Sequence, residues 1–166
     1  MMNNVGKLRN MTSIYLLCED KILLLYRQGS RVVNNVWTGS AGGHFEEYEL
    51  NDAKACVLRE LQEELGLTED MLEDLVLRYI TLRKTNGEVR QNYYFFAQLP
   101  GGTEMELVSD EGSLKWFQIE EVRELEMPLS AKCMMEHYLE VGRYDKMLYV
   151  GVADSEKGGF TKLPET

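Results

Sequence analysis

Residues 42–67 read GGHFEEYELNDAKACVLRELQEELGL. A Gly-Gly pair opens the stretch and an acidic loop follows. Its second half crowds Glu60, Glu63 and Glu64 beside Arg59, just before Gly66. Asn51 or Asp52 can cap a helix over residues 54–65, and Gly66 stands where a left-handed glycine ends one. At about 3.6 residues per turn, Leu58, Leu61 and Leu65 form one stripe that packs on a sheet, while the three glutamates share about a third of the circumference opposite. Like charges three and four residues apart destabilise an isolated helix by a few tenths of a kcal/mol per pair. A solvated acidic face, the commoner arrangement, dilutes its acids with Lys or Arg, and here only Arg59 is adjacent. Hard divalent cations take oxygen ligands, and a loop glycine lets a backbone carbonyl approach a metal where a Cβ would intrude. Arg59 can orient a carboxylate near the helix start through a charge-assisted hydrogen bond. The residues alone point to a divalent-metal site on a helix.

On the N-terminal side, residues 12–18 (TSIYLLC) and 21–27 (KILLLYR) flank Glu19-Asp20 and read as a β-hairpin. Residues 28–41, polar with Trp37 among them, read as a loop. Beyond the helix, residues 75–82 (LVLRYITL) and 92–99 (NYYFFAQL) read as strands that pair antiparallel across the turn at Thr85-Asn86-Gly87. Tyr93 to Phe96 are expected in the core. A short strand over 113–117, a helical turn over 119–125, a helix over 130–141 and a last strand over 146–152 complete the pattern. Met134, Met135 and Leu139 form the packing face of that helix, and the tail from Asp154 is expected to be loose. The expected class is α/β (α+β) with a central mixed sheet, in a single domain over residues 1–166.

Composition agrees with one globular domain: 166 residues, 44% hydrophobic, 28% charged and 3 prolines. The formal net charge of −10 argues against duplex nucleic acid as a partner, which needs a basic footprint. A polyphosphate remains open to an acidic protein through bridging divalent cations. Cys18, Cys56 and Cys133 are odd in number and far apart, so neither a disulfide framework nor a zinc site is expected. No apolar run has the length of a membrane span or a signal-peptide core. The expected setting is the cytoplasm.

The stretch resembles the Nudix box, G-x5-E-x7-R-E-U-x-E-E-x-G-U with U a bulky aliphatic residue. Gly43, Glu49, Arg59, Glu60, Leu61, Glu63, Glu64, Gly66 and Leu67 stand at its positions. The second half matches throughout. In the first half nine residues rather than seven separate Glu49 from Arg59, a two-residue insertion that leaves Glu47 or Glu49 to meet Arg59. The resemblance implies a Nudix-type α/β/α sandwich and a hydrolase of nucleoside diphosphates linked to a further group, using Mg2+ or Mn2+. It implies that Glu60, Glu63 and Glu64 bind the metal, aided by the backbone of Gly43 or Gly42. Glu60 or Glu64 would take the proton of the attacking water, with Arg59 beside them.

Outside the box, Glu111 before Gly112 matches a loop glutamate that reaches the metal in several nucleotide-cleaving members; a turn with solvated acids is the alternative. Arg27 ends a strand where relatives place an arginine near the phosphates. Gly42, Trp37 and Arg90 complete the expected substrate contacts, with Asn92 beside them. Trp37 can instead pack in the core or a lid, and His44 is read as a loop histidine. The resemblance favours a MutT-like enzyme on nucleoside triphosphates, including oxidised purine nucleotides such as 8-oxo-dGTP. ADP-ribose, a dinucleoside polyphosphate (Tyr79 and Tyr93 keep this open) or a nucleotide sugar are the alternatives. A non-catalytic nucleotide-binding domain is a third reading, disfavoured because the metal glutamates are intact. The expected partner is a small molecule, and the expected state is a monomer or homodimer.

Overall fold

The structure, a computed structural model, describes residues 6–28, 35–153 and 158–166. Its strands are β1 (Leu8–Cys18), β2 (Lys21–Arg27), β3 (Val36–Thr38), β4 (Ala41–His44), β5 (Glu73–Thr85), β6 (Glu88–Gln98), β7 (Gly112–Gln118), β8 (Tyr149–Ala153) and β9 (Gly158–Lys162). Two helices accompany them, α1 (Ala53–Leu65) and α2 (Leu129–Glu140). Among the described residues all nine strands join one mixed sheet in the order β3-β2-β1-β6-β5-β8-β9, with β4 added to β1 and β7 to β2. β1 runs parallel to β6 and β5 parallel to β8; the other pairings are antiparallel.

Strand alternation sends successive side chains of the central strands to opposite faces, and each face is covered by one helix. Ile14, Leu16, Leu23, Phe95 and Ala97 meet Val57, Leu61 and Leu65 of α1. Tyr15, Leu17, Ile22, Leu24, Tyr94 and Phe96 meet Met134, Met135, Tyr138 and Leu139 of α2. Both faces being buried explains why KILLLYR and NYYFFAQL read as unbroken apolar runs. This is the expected α/β/α sandwich. Both predicted hairpins form: β1 and β2 turn at Glu19-Asp20, and β5 and β6 turn at Asn86-Gly87, where both residues have positive φ. That is the backbone a two-residue hairpin turn requires.

Three expectations need correction. Part of the loop assigned to residues 28–41 is β-structure: β3 pairs with β2 and β4 with β1, while residues 29–34 lie outside the described residues. The tail is not loose throughout, because β9 pairs with β8 along Tyr149↔Lys162 to Ala153↔Gly158; residues 154–157 lie outside the described residues. In α1 the fully buried stripe is Cys56, Val57, Leu61 and Leu65, with Leu58 at its margin. Among the described residues no helix is long and apolar enough to cross a membrane.

Candidate active site

α1 begins at Asp52, whose carboxylate accepts the Ala55 N–H at 3.0 Å, and ends at Gly66 in the left-handed region. With its apolar side on the sheet, its polar side faces β4. There Arg59 is the hub. Its Nε and Nη2 donate to the two oxygens of Glu49 at 2.7 and 2.8 Å, and Nη1 donates to Glu60 at 2.9 Å and Glu63 at 3.0 Å. Nη2 also reaches the His44 carbonyl at 3.1 Å.

The inserted loop thus settles which acid meets Arg59. A 3-10 turn over Glu47–Glu49 and Asn51 at φ 73° take up the extra residues and bring Glu49 inward, where it is 1% exposed. Glu47 is not the partner. Glu49 also accepts the Glu46 N–H at 2.8 Å. The Arg59 hydrogen bonds hold its carboxyl below the usual carboxylate range, against the opposing effect of burial.

Gly43 lies directly under Glu60: a Cβ there would collide with the Glu60 carboxylate. Burial raises the Glu60 carboxyl, and Arg59 counteracts this. Glu63 remains 60% exposed. Glu64 turns toward β4, where the Gly42 N–H donates to it at 3.1 Å. Burial pushes its carboxyl up to about 7, with Gly42 pulling the other way; Glu111 and Arg27 both act on it electrostatically. Arg27 donates to Glu111 at 2.5 Å. The β2 arginine and the loop glutamate, 84 residues apart in sequence, therefore share one corner of the site.

Glu64 and Gly42 form one rim of a cavity of about 160 Å³ between the sheet and the start of α2. Arg27 and Arg90, two of the residues proposed from the sequence as substrate contacts, line it, and so does Asn92. Trp37 does not: its ring packs on Tyr26 and edge-on against Phe117 at 4.9 and 4.7 Å between centroids. The core alternative for Trp37 is the one adopted. The His44 ring accepts from Arg9 at 2.7 Å, on the exposed side of β4.

Sequence reading missed Tyr15 and Arg83. Tyr15 lines the cavity, fully buried, with a hydroxyl that has no hydrogen-bond partner among the described residues. Burial raises it well above the usual tyrosine range, so it stays protonated and able to donate. Arg83 also lines the cavity. A signal for it was available: a two-residue turn at Asn86-Gly87 pairs Thr85 with Glu88, and hence Arg83 with Arg90.

Among the described residues no three acidic, His or Cys side chains already converge on one point. Arg59 holds Glu60 and Glu63, and the Gly42 amide holds Glu64. The groups that could hold a metal are nonetheless all oxygen: the carboxylates of Glu60, Glu63, Glu64 and Glu111 and the Gly43 carbonyl. That chemistry fits Mg2+ or Mn2+, which keep several waters and need no all-protein cage.

A family profile described as the NUDIX domain matches residues 7–138. No curated protein sequence matches. Among solved structures, the MutT protein of Bacillus halodurans is similar at 23% identity and TM-score 0.67, over 95% of this chain and 99% of that one. The C. elegans Ap4A hydrolase in a binary complex is similar at 15% identity and TM-score 0.65, over 82% and 99%. The E. coli dihydroneopterin triphosphate pyrophosphohydrolase is similar at 19% identity and TM-score 0.63, over 79% and 94%. At these identities the structures share the fold. The profile, however, spans β1 to α2 and takes in all of α1 with its glutamates, so the chain belongs to the NUDIX domain family.

Proposed function

We propose that this Nudix hydrolase cleaves a diphosphate bond in a nucleoside triphosphate-type substrate with Mg2+ or Mn2+, releasing a nucleoside monophosphate and pyrophosphate. The observation that carries the reading is the adjacency of two chemistries: Glu64 of the glutamate-bearing helix α1 stands at the rim of a cavity whose cations are Arg27, Arg83 and Arg90. Glu60, Glu63 and Glu64, with the Gly43 carbonyl and Glu111, would hold the metal. When bound, a divalent ion neutralises the diphosphate and lowers the pKa of an attached water.

The chain's own groups supply the rest. Arg27 neutralises phosphate oxygens and holds Glu111 in place. Tyr15, Leu25 and Tyr94 give the nucleoside an apolar surface, and the Tyr15 hydroxyl offers it a donor. The water oxygen attacks phosphorus, the bond to the leaving phosphate oxygen breaks, and a carboxylate takes the water's proton. Glu64, held at the cavity rim by the Gly42 N–H, and Glu60 are the candidates for that step. Arg59, anchored to Glu49, keeps Glu60 aimed, and the Gly42 N–H keeps Glu64.

Oxidised purine nucleotides such as 8-oxo-dGTP are the first substrates to try, followed by ADP-ribose, a dinucleoside polyphosphate and a nucleotide sugar. The test is release of phosphate or pyrophosphate from this panel with Mg2+, comparing wild type with Glu64→Gln. Metal-dependent turnover that falls by orders of magnitude in the variant supports the reading. Tight nucleotide binding without turnover on any metal overturns it in favour of a sensor.

A further inference from the structure

Arg83 and Arg90 are direct partners across the β5–β6 hairpin, and both line the cavity. Arg9 is the partner of Arg90 on its other side, so three arginines stand side by side across β1, β6 and β5. Like charges directly opposite one another destabilise a sheet. Glu88 serves two of them: its Oε1 accepts from Arg90 at 3.3 Å and lies 3.5 Å from Arg9, while Lys7 stands 4.0 Å from Oε2. Three cations thus divide one carboxylate, in a chain of net charge −10. Arg83 makes no hydrogen bond or ion pair among the described residues. A cationic pair with one guanidinium unpaired among the described residues, inside a cavity, is suited to receive an anion.

Register locates it. Gly42, which holds Glu64, is opposite Ser13, and Ser13 is opposite Tyr94. Arg90 lies four residues before Tyr94; at about 3.3 Å per residue that is roughly 13 Å along the strand. Between the two rows the cavity wall is Met11 and Asn92, with Tyr94 on the Gly42 row and Tyr15 just beyond it, apolar with a few polar tips, as a nucleoside requires. Allowing for the reach of the arginine side chains, which shortens that span by about half, the anion lies about a ribose's width from the diphosphate.

The geometry points to an Arg83–Arg90 subsite that takes a phosphomonoester borne on the ribose of the nucleotide, at its end away from the scissile diphosphate. A phosphomonoester carries about −1.5 to −2 at neutral pH, which matches two guanidinium groups, whereas an internal phosphate of a polyphosphate chain carries one charge. Arginine forks suit its oxygens. The proposal rests on the hydrolase reading for the position of the diphosphate, and it narrows the substrate class to nucleotides with an additional 2′- or 3′-phosphate.

Calorimetric titration with 5′-AMP, adenosine 2′,5′-bisphosphate and adenosine 3′,5′-bisphosphate tests it. Wild type is expected to bind one bisphosphate at least tenfold more tightly than AMP. Arg83→Gln brings that ratio below about threefold, and Arg143→Gln, outside the cavity, leaves it unchanged. Arg83 has no described partner to lose, so the variant is expected to melt with wild type. Equal binding of all three nucleotides by wild type, or a ratio that survives in both Arg83→Gln and Arg90→Gln, overturns the subsite. Mg2+-dependent turnover with a ratio near one sinks the subsite alone. A high ratio without turnover of any nucleotide sinks the hydrolase reading and leaves the subsite standing.

Discussion

Replacing Glu64 with Gln should make the metal-free protein more stable, and only above a definite pH. The Glu64 carboxyl stands at about 7 instead of 4.5, chiefly through burial. The fold therefore favours the protonated side chain. That stabilisation is complete below pH 4.5 and is lost as pH rises to 7. Gln has the shape of the protonated acid, and its side-chain oxygen can still accept the Gly42 N–H. A rise from 4.5 to about 7 corresponds to about 3 kcal/mol, at about 1.4 kcal/mol for each tenfold change in proton affinity. Water in the open cavity screens Glu64, so about 1–2 kcal/mol is the working figure. Urea unfolding in EDTA, followed by the fluorescence of Trp37 and Trp116, measures it across pH 4 to 8. Glu64→Gln should match wild type near pH 4 and exceed it by that amount at pH 8, or by about 2–8 °C in thermal melts. Added Mg2+ should reverse the order, since mass action stabilises the protein that binds the ion. A difference between the two proteins that does not change with pH would refute the reasoning.

Three further outcomes are expected. Glu49→Gln leaves Arg59 without its buried counter-charge and should cost about 3 kcal/mol in urea unfolding; a loss below about 1 kcal/mol would show that the Arg59 hub does not depend on it. Trp37→Ala should cost about 2–3 kcal/mol through lost packing on Tyr26 and Phe117 with KM unchanged; raised KM at unchanged stability would return Trp37 to the substrate site. Glu111→Gln should shift stability by less than about 1 kcal/mol, its pair with Arg27 being partly exposed, while kcat/KM falls at least tenfold. Unchanged kcat/KM would leave Glu111 a turn residue.

Much of the site was legible because it is local. The helix from Ala53 to Leu65, its closure at Gly66 and the clustering of Glu60, Glu63 and Glu64 follow from spacing along 3.6 residues per turn. The Asn86-Gly87 turn likewise implies the Arg83–Arg90 pair, although that consequence is easily overlooked. β3, β4 and β9 were not legible. AGGH and GGFTK carry the glycines of a loop, and they are strands because β1, β2 and β8 present unpaired edges to them.

By itself, then, the sequence determined the glutamate-bearing helix and the two hairpins, since each rests on contacts between near neighbours, while the sandwich was implied by the resemblance of residues 42–67 to the Nudix box. Tertiary structure alone decided that Glu49 rather than Glu47 enters the Arg59 hub, because an insertion is absorbed by whichever backbone turn brings a carboxylate inward. It decided that Trp37 is core, and that Tyr15, Arg27, Arg83 and Arg90 share one cavity with Glu64. Those residues come from four strands and a helix, and only the closing of one sheet under α1 and α2 brings their side chains within reach of one another.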